Sequence, residues 1–336
     1  DERARLMALR QKLLVWSAYA AFFFTCFTVF AYFTFPYDRL RDHLLQRVNA
    51  AEGPRADAGK YRLHIGSLEP WWFTGVKLTD VSLTRPAETA GAAPVRLRAD
   101  RVTIRPSLVR LLAGRMDINY ELRLGEGRIE GLYKKDENTL FLESEIEQLE
   151  LLDSGLGGLV GLPLEGRADG SIELIVPKNL EMSQGKIQLD INGLTVGDGK
   201  AKLVTKDLKE GITVDRIDAG DLKLRVAVHK GVGEVEELSA SGKDLQLKGS
   251  GNLRLLQEIS RSRLNLTLDI AFTDAYKKRS DRTKALFELM DLNPQMRSAK
   301  TREGSLRYRI TGMLSRPSYR AIGDRGTRTP RRRPRK

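Results

Sequence analysis

The chain has 336 residues, with 57 Lys and Arg against 44 Asp and Glu for a formal charge of +13, three histidines and one cysteine. A single thiol excludes a disulfide framework and a thiolate metal cluster. The charge is lopsided, because 316–336 carries nine basic residues and one acid, 9 − 1 = +8 of the +13, so the rest of the chain is only mildly basic.

Residues 1–12 read as a short basic tail, and 13–35, LLVWSAYAAFFFTCFTVFAYFTF, contain no charge. A helix of that length reaches about 35 Å, enough for a hydrocarbon core of about 30 Å with some tilt. The apolar region of a signal peptide is shorter, and Val48-Asn49-Ala50, which has the look of a cleavage site, lies too far beyond the apolar end. Trp16 and Tyr19 near one end, Tyr32 and Tyr37 near the other, and Pro36 at the exit are placed as interface anchors. The expectation is an uncleaved transmembrane helix. Arg3, Arg5, Arg10 and Lys12 precede it and Arg39, Arg41 and Arg47 follow, which with the short leading tail favours a cytoplasmic N-terminus. Ser17, Ala21, Thr25 and Thr28 form a stripe of small side chains on this helix, a surface on which a second span could pack closely. Cys26 lies inside the span, so the remaining chain has no thiol, as suits a bacterial periplasm.

Residues 36–60 read as an amphipathic stalk and linker, with Leu40, Leu44, Leu45 and Val48 on one helical face toward the membrane surface. From 61 to 315 the rhythm changes to a period of two. It is clearest in MDINYELRL, where Met116, Ile118, Tyr120, Leu122 and Leu124 share a dry face opposite Asp117, Asn119, Glu121 and Arg123. On the order of a dozen such runs predict a mainly β fold, an extended antiparallel sheet built hairpin by hairpin. Gly197-Asp198-Gly199-Lys200 predicts one tight turn, and Gly125, Gly127 and Gly131 punctuate another pair of strands. The x-Leu-x-Leu unit recurs from Asp221, Asp244, Asn252 and Asn265 at irregular offsets, which argues against a solenoid. Two helices are expected to cover an end or face of the sheet: PSLVRLLAG, with Ser107 as N-cap and Gly114 as stop, and SDRTKALFELMDLNP, ended by Asn293-Pro294.

No constellation for catalysis emerges. His43, His64 and His229 are isolated and no H-E-x-x-H or G-x-S-x-G occurs. The glycine cluster SGLGGLVGLPLEG lacks G-K-[ST], and Val160 stands where a dinucleotide fingerprint needs its third glycine. Glu143, Glu145 and Glu147 alternate along a wet strand face. The expectation is a protein that is not an enzyme and needs no cofactor or metal. The tail at 316–336 reads first as a disordered, solvating basic segment; anionic lipid head groups are the alternative, and nucleic acid is not an expected partner.

The order of these parts resembles the type II secretion system protein N family and, more distantly, AsmA-like proteins. Leu68, Pro70, Gly75, Val76, Leu78, Asp80, Val81 and Leu83 in LEPWWFTGVKLTDVSL are similar to the first hairpin after the anchor in those families. Ala99, Val102, Ile104, Ser107, Leu108, Leu111, Leu112 and Gly114, then Gly127, Ile129 and Gly131, are similar to their strand, short helix and strand-pair unit. Gly166, Gly170, Tyr308, Gly312 and Pro317 also fit, and the arginine-rich tail departs from the pattern. The resemblance implies a curved AsmA-like sheet on a single-pass protein of the bacterial inner membrane, its β domain periplasmic. It also implies partners among the components of the machine that exports folded proteins. Two functions follow from it: a structural module of that machine, with the dry sheet face packed or covered by a partner, which is favoured, or a phospholipid carrier with that face open as a groove.

Overall fold

The computed structural model describes residues 2–49, 62–72, 74–85, 95–205, 208–256 and 258–323. Side chains at 2–11, 13, 28, 31–33, 159–160, 203–205, 208–210 and 295–296 lie outside that description. Helix α1 (Glu2–Thr34) is continuous and stops just before Pro36, whose ring disfavours helical backbone in the residue before it. Among the residues with described side chains no helix is long and apolar enough to cross a membrane. The unbroken described run inside α1 is 14–27, shorter than the ~20 residues a span requires.

After helix α2 (Tyr37–Asn49) come β1 (Arg62–Trp71), β2 (Gly75–Arg85), β3 (Val95–Pro106), the short α3 (Leu108–Leu112), β4 (Met116–Leu124), β5 (Gly127–Lys135) and β6 (Thr139–Glu150). Two single-turn helices, α4 (Leu151–Ser154) and α5 (Gly157–Val160), lead to β7 (Leu164–Pro177), β8 (Gln184–Val196), β9 (Lys202–Thr205), β10 (Leu208–Thr213) and β11 (Ile217–His229). The chain ends with β12 (Val232–Ser241), β13 (Leu245–Arg254), β14 (Arg263–Phe272), helices α6 (Asp274–Lys277), α7 (Asp281–Leu292) and α8 (Pro294–Arg297), β15 (Leu306–Met313) and β16 (Arg316–Ala321). Fourteen of the sixteen strands form one antiparallel sheet in chain order, each beside its sequence neighbour, except that β8 pairs directly with β11. Strands β9 and β10 form a separate hairpin.

The Gly197–Lys200 turn therefore does not join two neighbours in the main sheet. Gly197 and Gly199 take positive φ and Asp198 Oδ1 accepts from the N–H groups of Lys200 and Ala201, turning the chain out toward β9. The uneven spacing of the x-Leu-x-Leu units also has a simple cause, since the units starting at Asp244 and Asn252 flank a single strand, β13.

Directly opposed residues share a sheet face, and following them strand to strand gives one apolar row across the molecule. It runs Leu68, Leu78, Val102, Leu122, Ile129, Ile146, then Gly170, Leu189, Leu224 and Leu238. It continues through Gly249, Leu268, Tyr308 and Ala321. Gly249 leaves room there for the side chains of Leu238 and Leu268, which an added Cβ would push aside. The opposite face is charged, with Lys77, Thr103, Glu121, Glu130 and Glu145 in one row.

The alternation is preserved by a line of bulges. Asp80, Gln148, Gly166, Gly193 and Gly220 take positive φ along this line, and the register shifts by one residue at Gln148 in β6, beside Gly193 in β8 and beside Gly220 in β11, so that both sides of each bulge keep their apolar residues on one face. Ile146 and Leu149 thus join one cluster although three positions apart, as do Ile191 and Leu194. Carboxylates from neighbouring strands accept the N–H groups at this line: Asp169 from Gln148 at 2.8 Å and Asp221 from Gly193 at 2.9 Å. Asp100 accepts from Gly125, in the β4–β5 turn, at 2.7 Å.

Candidate functional site

The apolar face is closed at its margins and open between them. At one margin Leu124, Leu149, Leu151, Ala168, Leu194 and Ala219 form a buried cluster, and α4 and α5 lie against β3, whose backbone comes within contact of Gly155 and Gly158. Tyr276 and Phe287, from α6 and α7, close the same side further along by packing on Phe272, Leu162 and Ile217. At the opposite strand ends Leu174, Val176, Val228 and Leu255 form a third cluster. Gly185 makes room for it, since a Cβ there would meet Leu174. Between the margins Leu122, Ile129, Ile146, Leu189, Leu224, Leu238 and Leu268 are all only half-buried.

The five residues of β4 read from the sequence as the dry face show this gradient along one strand. They oppose Gly127, Ile129, Gly131, Tyr133 and Lys135 in register, so they share a face. Leu124 is buried, Leu122, Tyr120 and Ile118 are half-buried, and Met116 is exposed. The Tyr120 ring lies across Gly131, where a Cβ would touch its hydroxyl, and that hydroxyl reaches the buried Ser144 and donates to the Glu143 carbonyl at 3.2 Å. One side chain thereby covers a glycine gap and braces three strands.

Helix α2 is not spent on a membrane surface. Tyr37, Leu40, Leu44 and Leu45 pack on Ile65, Leu68 and Leu78, and Asn49 both accepts from Leu63 N at 2.7 Å and donates to Leu63 O at 3.1 Å. Arg41 lies beside Gly66, so α2 runs antiparallel to β1 and its start points toward Trp71. The apolar row therefore begins under α2. Helix α3 also departs from expectation. It covers nothing: Leu108, Val109, Leu111 and Leu112 are exposed and Ser107 makes no side-chain cap.

In the small-residue stripe, the Ser17 hydroxyl donates to Leu14 O at 2.9 Å and that of Thr25 to Ala21 O at 2.8 Å, so both polar groups are satisfied within α1. Ser17, Ala21 and Thr25 are exposed, and the Thr28 side chain lies outside the described residues.

Both ends of the sheet carry charges of both signs. The end with the helical segments and bulges carries Asp100, Asp153, Asp169, Asp198, Asp221 and Asp244, several bound to backbone N–H groups. The end with the Trp71–Gly75 turn carries Arg105, Arg110, Arg115 and Lys135, of which Arg110 pairs with Asp117 at 3.2 Å. Further along this end Arg254, Arg261, Arg263 and Arg316 surround a cavity of about 810 Å³ on the polar face. Among the described residues no group of His, Cys, Asp and Glu could hold a metal ion. What sequence reasoning missed is the half-open state of the row, because it depends on which strands lie together and on where the helices pack. No family model, curated protein or solved structure matches this chain.

Proposed function

We propose that the protein is a membrane-anchored, non-enzymatic carrier whose apolar row accommodates the acyl chains of phospholipid. The observation that carries this reading is the half-buried row itself, crossing fourteen strands with no second layer of described residues above its centre. At about 4.8 Å per strand the row is roughly 60 Å long. It begins at the strand packed under α2, directly after the apolar helix, so an acyl chain leaving the bilayer would meet it first there. Helix α1 is the anchor on this reading, with its N-terminus in the bacterial cytoplasm and the sheet in the periplasm.

The resemblance to secretion protein N supports a second reading, a scaffold in the type II export machine. The open sheet supports it too, since β16 is an edge strand to which another chain could add, while Asn49 of α2 already takes the outward N–H and C=O of Leu63 on β1. Lipid analysis separates the two. The full chain purified in neutral detergent is expected to retain about one or more phospholipids per protein, and Leu122→Glu to abolish retention while the sheet still folds. Lipid-free protein that instead copurifies with secretion components would replace the carrier with the scaffold.

A further inference from the structure

Among the described residues outside α1, large apolar side chains are exposed together at the strand ends of β1–β4, where only Trp71 has a partner, Lys77 Nζ lying 5.9 Å from its ring centre. Trp72 is 63% exposed and held outward by a positive φ of 53° in the β1–β2 turn, with Trp71 beside it. Strand pairing of Trp71 with Gly75, Val76 with Ile104 and Pro106 with Ile118 places α3 at the same strand ends as this turn. There Val109 is 80% and Leu112 90% exposed. Arg105 and Arg115 lie beside the patch, and on the charged face Trp71 and Arg105 border a groove with Glu121, Glu130, Glu143 and Glu145.

Exposing tryptophan and leucine to water is unfavourable, and a five-residue helix with no capping side chain has no local reason to carry them. A polar–apolar interface resolves both costs. Tryptophan favours the head-group level, aliphatic tips enter the acyl boundary, and arginine stems extend to anionic head groups. The fold also aims this edge. Because α2 runs antiparallel to β1, the residues that leave α1 emerge on the Trp71 side.

We infer that the Trp71–Trp72 turn and α3 form a second membrane contact, dipping into the interfacial layer of the bilayer that holds α1. It fixes the sheet with the Trp71–Gly75 strand ends of β1–β4 against the lipid surface. The inference extends the anchor reading above, and the experiment separates the two.

The three tryptophans of the chain make this measurable. The full chain is reconstituted in vesicles of phosphatidylcholine and phosphatidylglycerol with bromine at defined acyl positions. A Trp16→Phe variant reports only Trp71 and Trp72. A Trp71→Phe, Trp72→Phe variant reports only Trp16. The expected result is strong quenching of Trp71 and Trp72 by bromine near the head-group end of the acyl chains. Adding Val109→Glu and Leu112→Glu should reduce it at least twofold, with the thermal midpoint unchanged because both side chains are already in water. Unquenched Trp71 and Trp72 beside a quenched Trp16 would overturn the inference and leave the anchor standing. Quenched Trp71 and Trp72 with an unquenched Trp16 would keep the contact and remove the anchor, and no quenching of either would remove both.

Discussion

Asp215 shows how single side chains lock the helical insertion onto the sheet. Its carboxylate accepts from the hydroxyls of Ser280 and Thr283, both at 2.5 Å, and these hydrogen bonds hold its pKa below the usual carboxylate range. Ser280 meanwhile caps α7 by accepting from Thr283 N. A depressed native pKa contributes stability that is present above the unfolded value and is lost as pH falls through the native one. Asp215→Asn should therefore flatten the acid limb of a thermal-midpoint profile, and an unchanged slope would show that the pair is slack. Tyr276 acts at the other extreme. Burial, aided by the Asp215 charge, pushes its phenol up to about 12, and its hydroxyl donates to Asp215 O at 2.9 Å. A phenol with a raised native pKa stabilises the fold below its unfolded value near 10, and that contribution is lost as pH rises toward 12. Tyr276→Phe should cost about 1 kcal/mol at neutral pH and give a shallower decline between pH 10 and 12, measurable by denaturant titration at each pH.

At the scale of elements, the sheet depends on bulges that tie one strand to the next. Asp169 accepts the Gln148 N–H where Gln148 holds a positive φ, so Asp169→Ala leaves that donor without its partner and should cost about 1 to 3 kcal/mol. Chemical denaturation of the purified domain would measure it, and a loss below about 0.5 kcal/mol would indicate that water replaces the carboxylate. On the polar face Arg254 directly opposes Arg263. Like charges in register are destabilising, so Arg263→Gln should raise stability by roughly 0.2 to 1 kcal/mol, less at high salt. These features separate what the sequence disclosed from what it did not. The dry face of β4 was legible because a period of two survives in any local window. So was the start of α7, where the capping serine immediately precedes the helix. The bulge line was illegible, since Gln148, Gly193 and Gly125 each depend on an aspartate 21 to 28 residues away on another strand. Amphipathicity marked α2 correctly as a helix but not its partner, because a membrane and a sheet select the same apolar stripe. In PSLVRLLAG the leucines suggested a cover for the sheet, yet at five residues the helix is too short to reach back over it.

For the whole molecule the question is whether the sheet face is a core or a groove, and the structure gives both answers at different points along the same strand. A closed core needs a second layer over the entire apolar row. Here α2, α4, α5 and α7 cover its margins, and the centre is left half-buried. The sheet margins can then supply stability while the central row stays available for a ligand. That division predicts different costs for the same chemical change two residues apart. Leu124 is 8% exposed inside the cluster with Leu149, Leu151 and Ala168, so Leu124→Ala should cost about 2 to 5 kcal/mol through lost burial and a cavity that cannot fully collapse. Leu122 is half-buried and packs against the edge of that cluster, and Leu122→Ala should cost less, about 1 to 2 kcal/mol, since it removes less buried area. Adding phospholipid should widen the wild-type advantage over Leu122→Ala, because a ligand bound to the native state alone stabilises it in proportion to its affinity, and it should leave the Leu124→Ala difference nearly unchanged. Equal costs at both positions, insensitive to lipid, would mean that the centre of the sheet behaves as core and would remove the physical basis for the carrier.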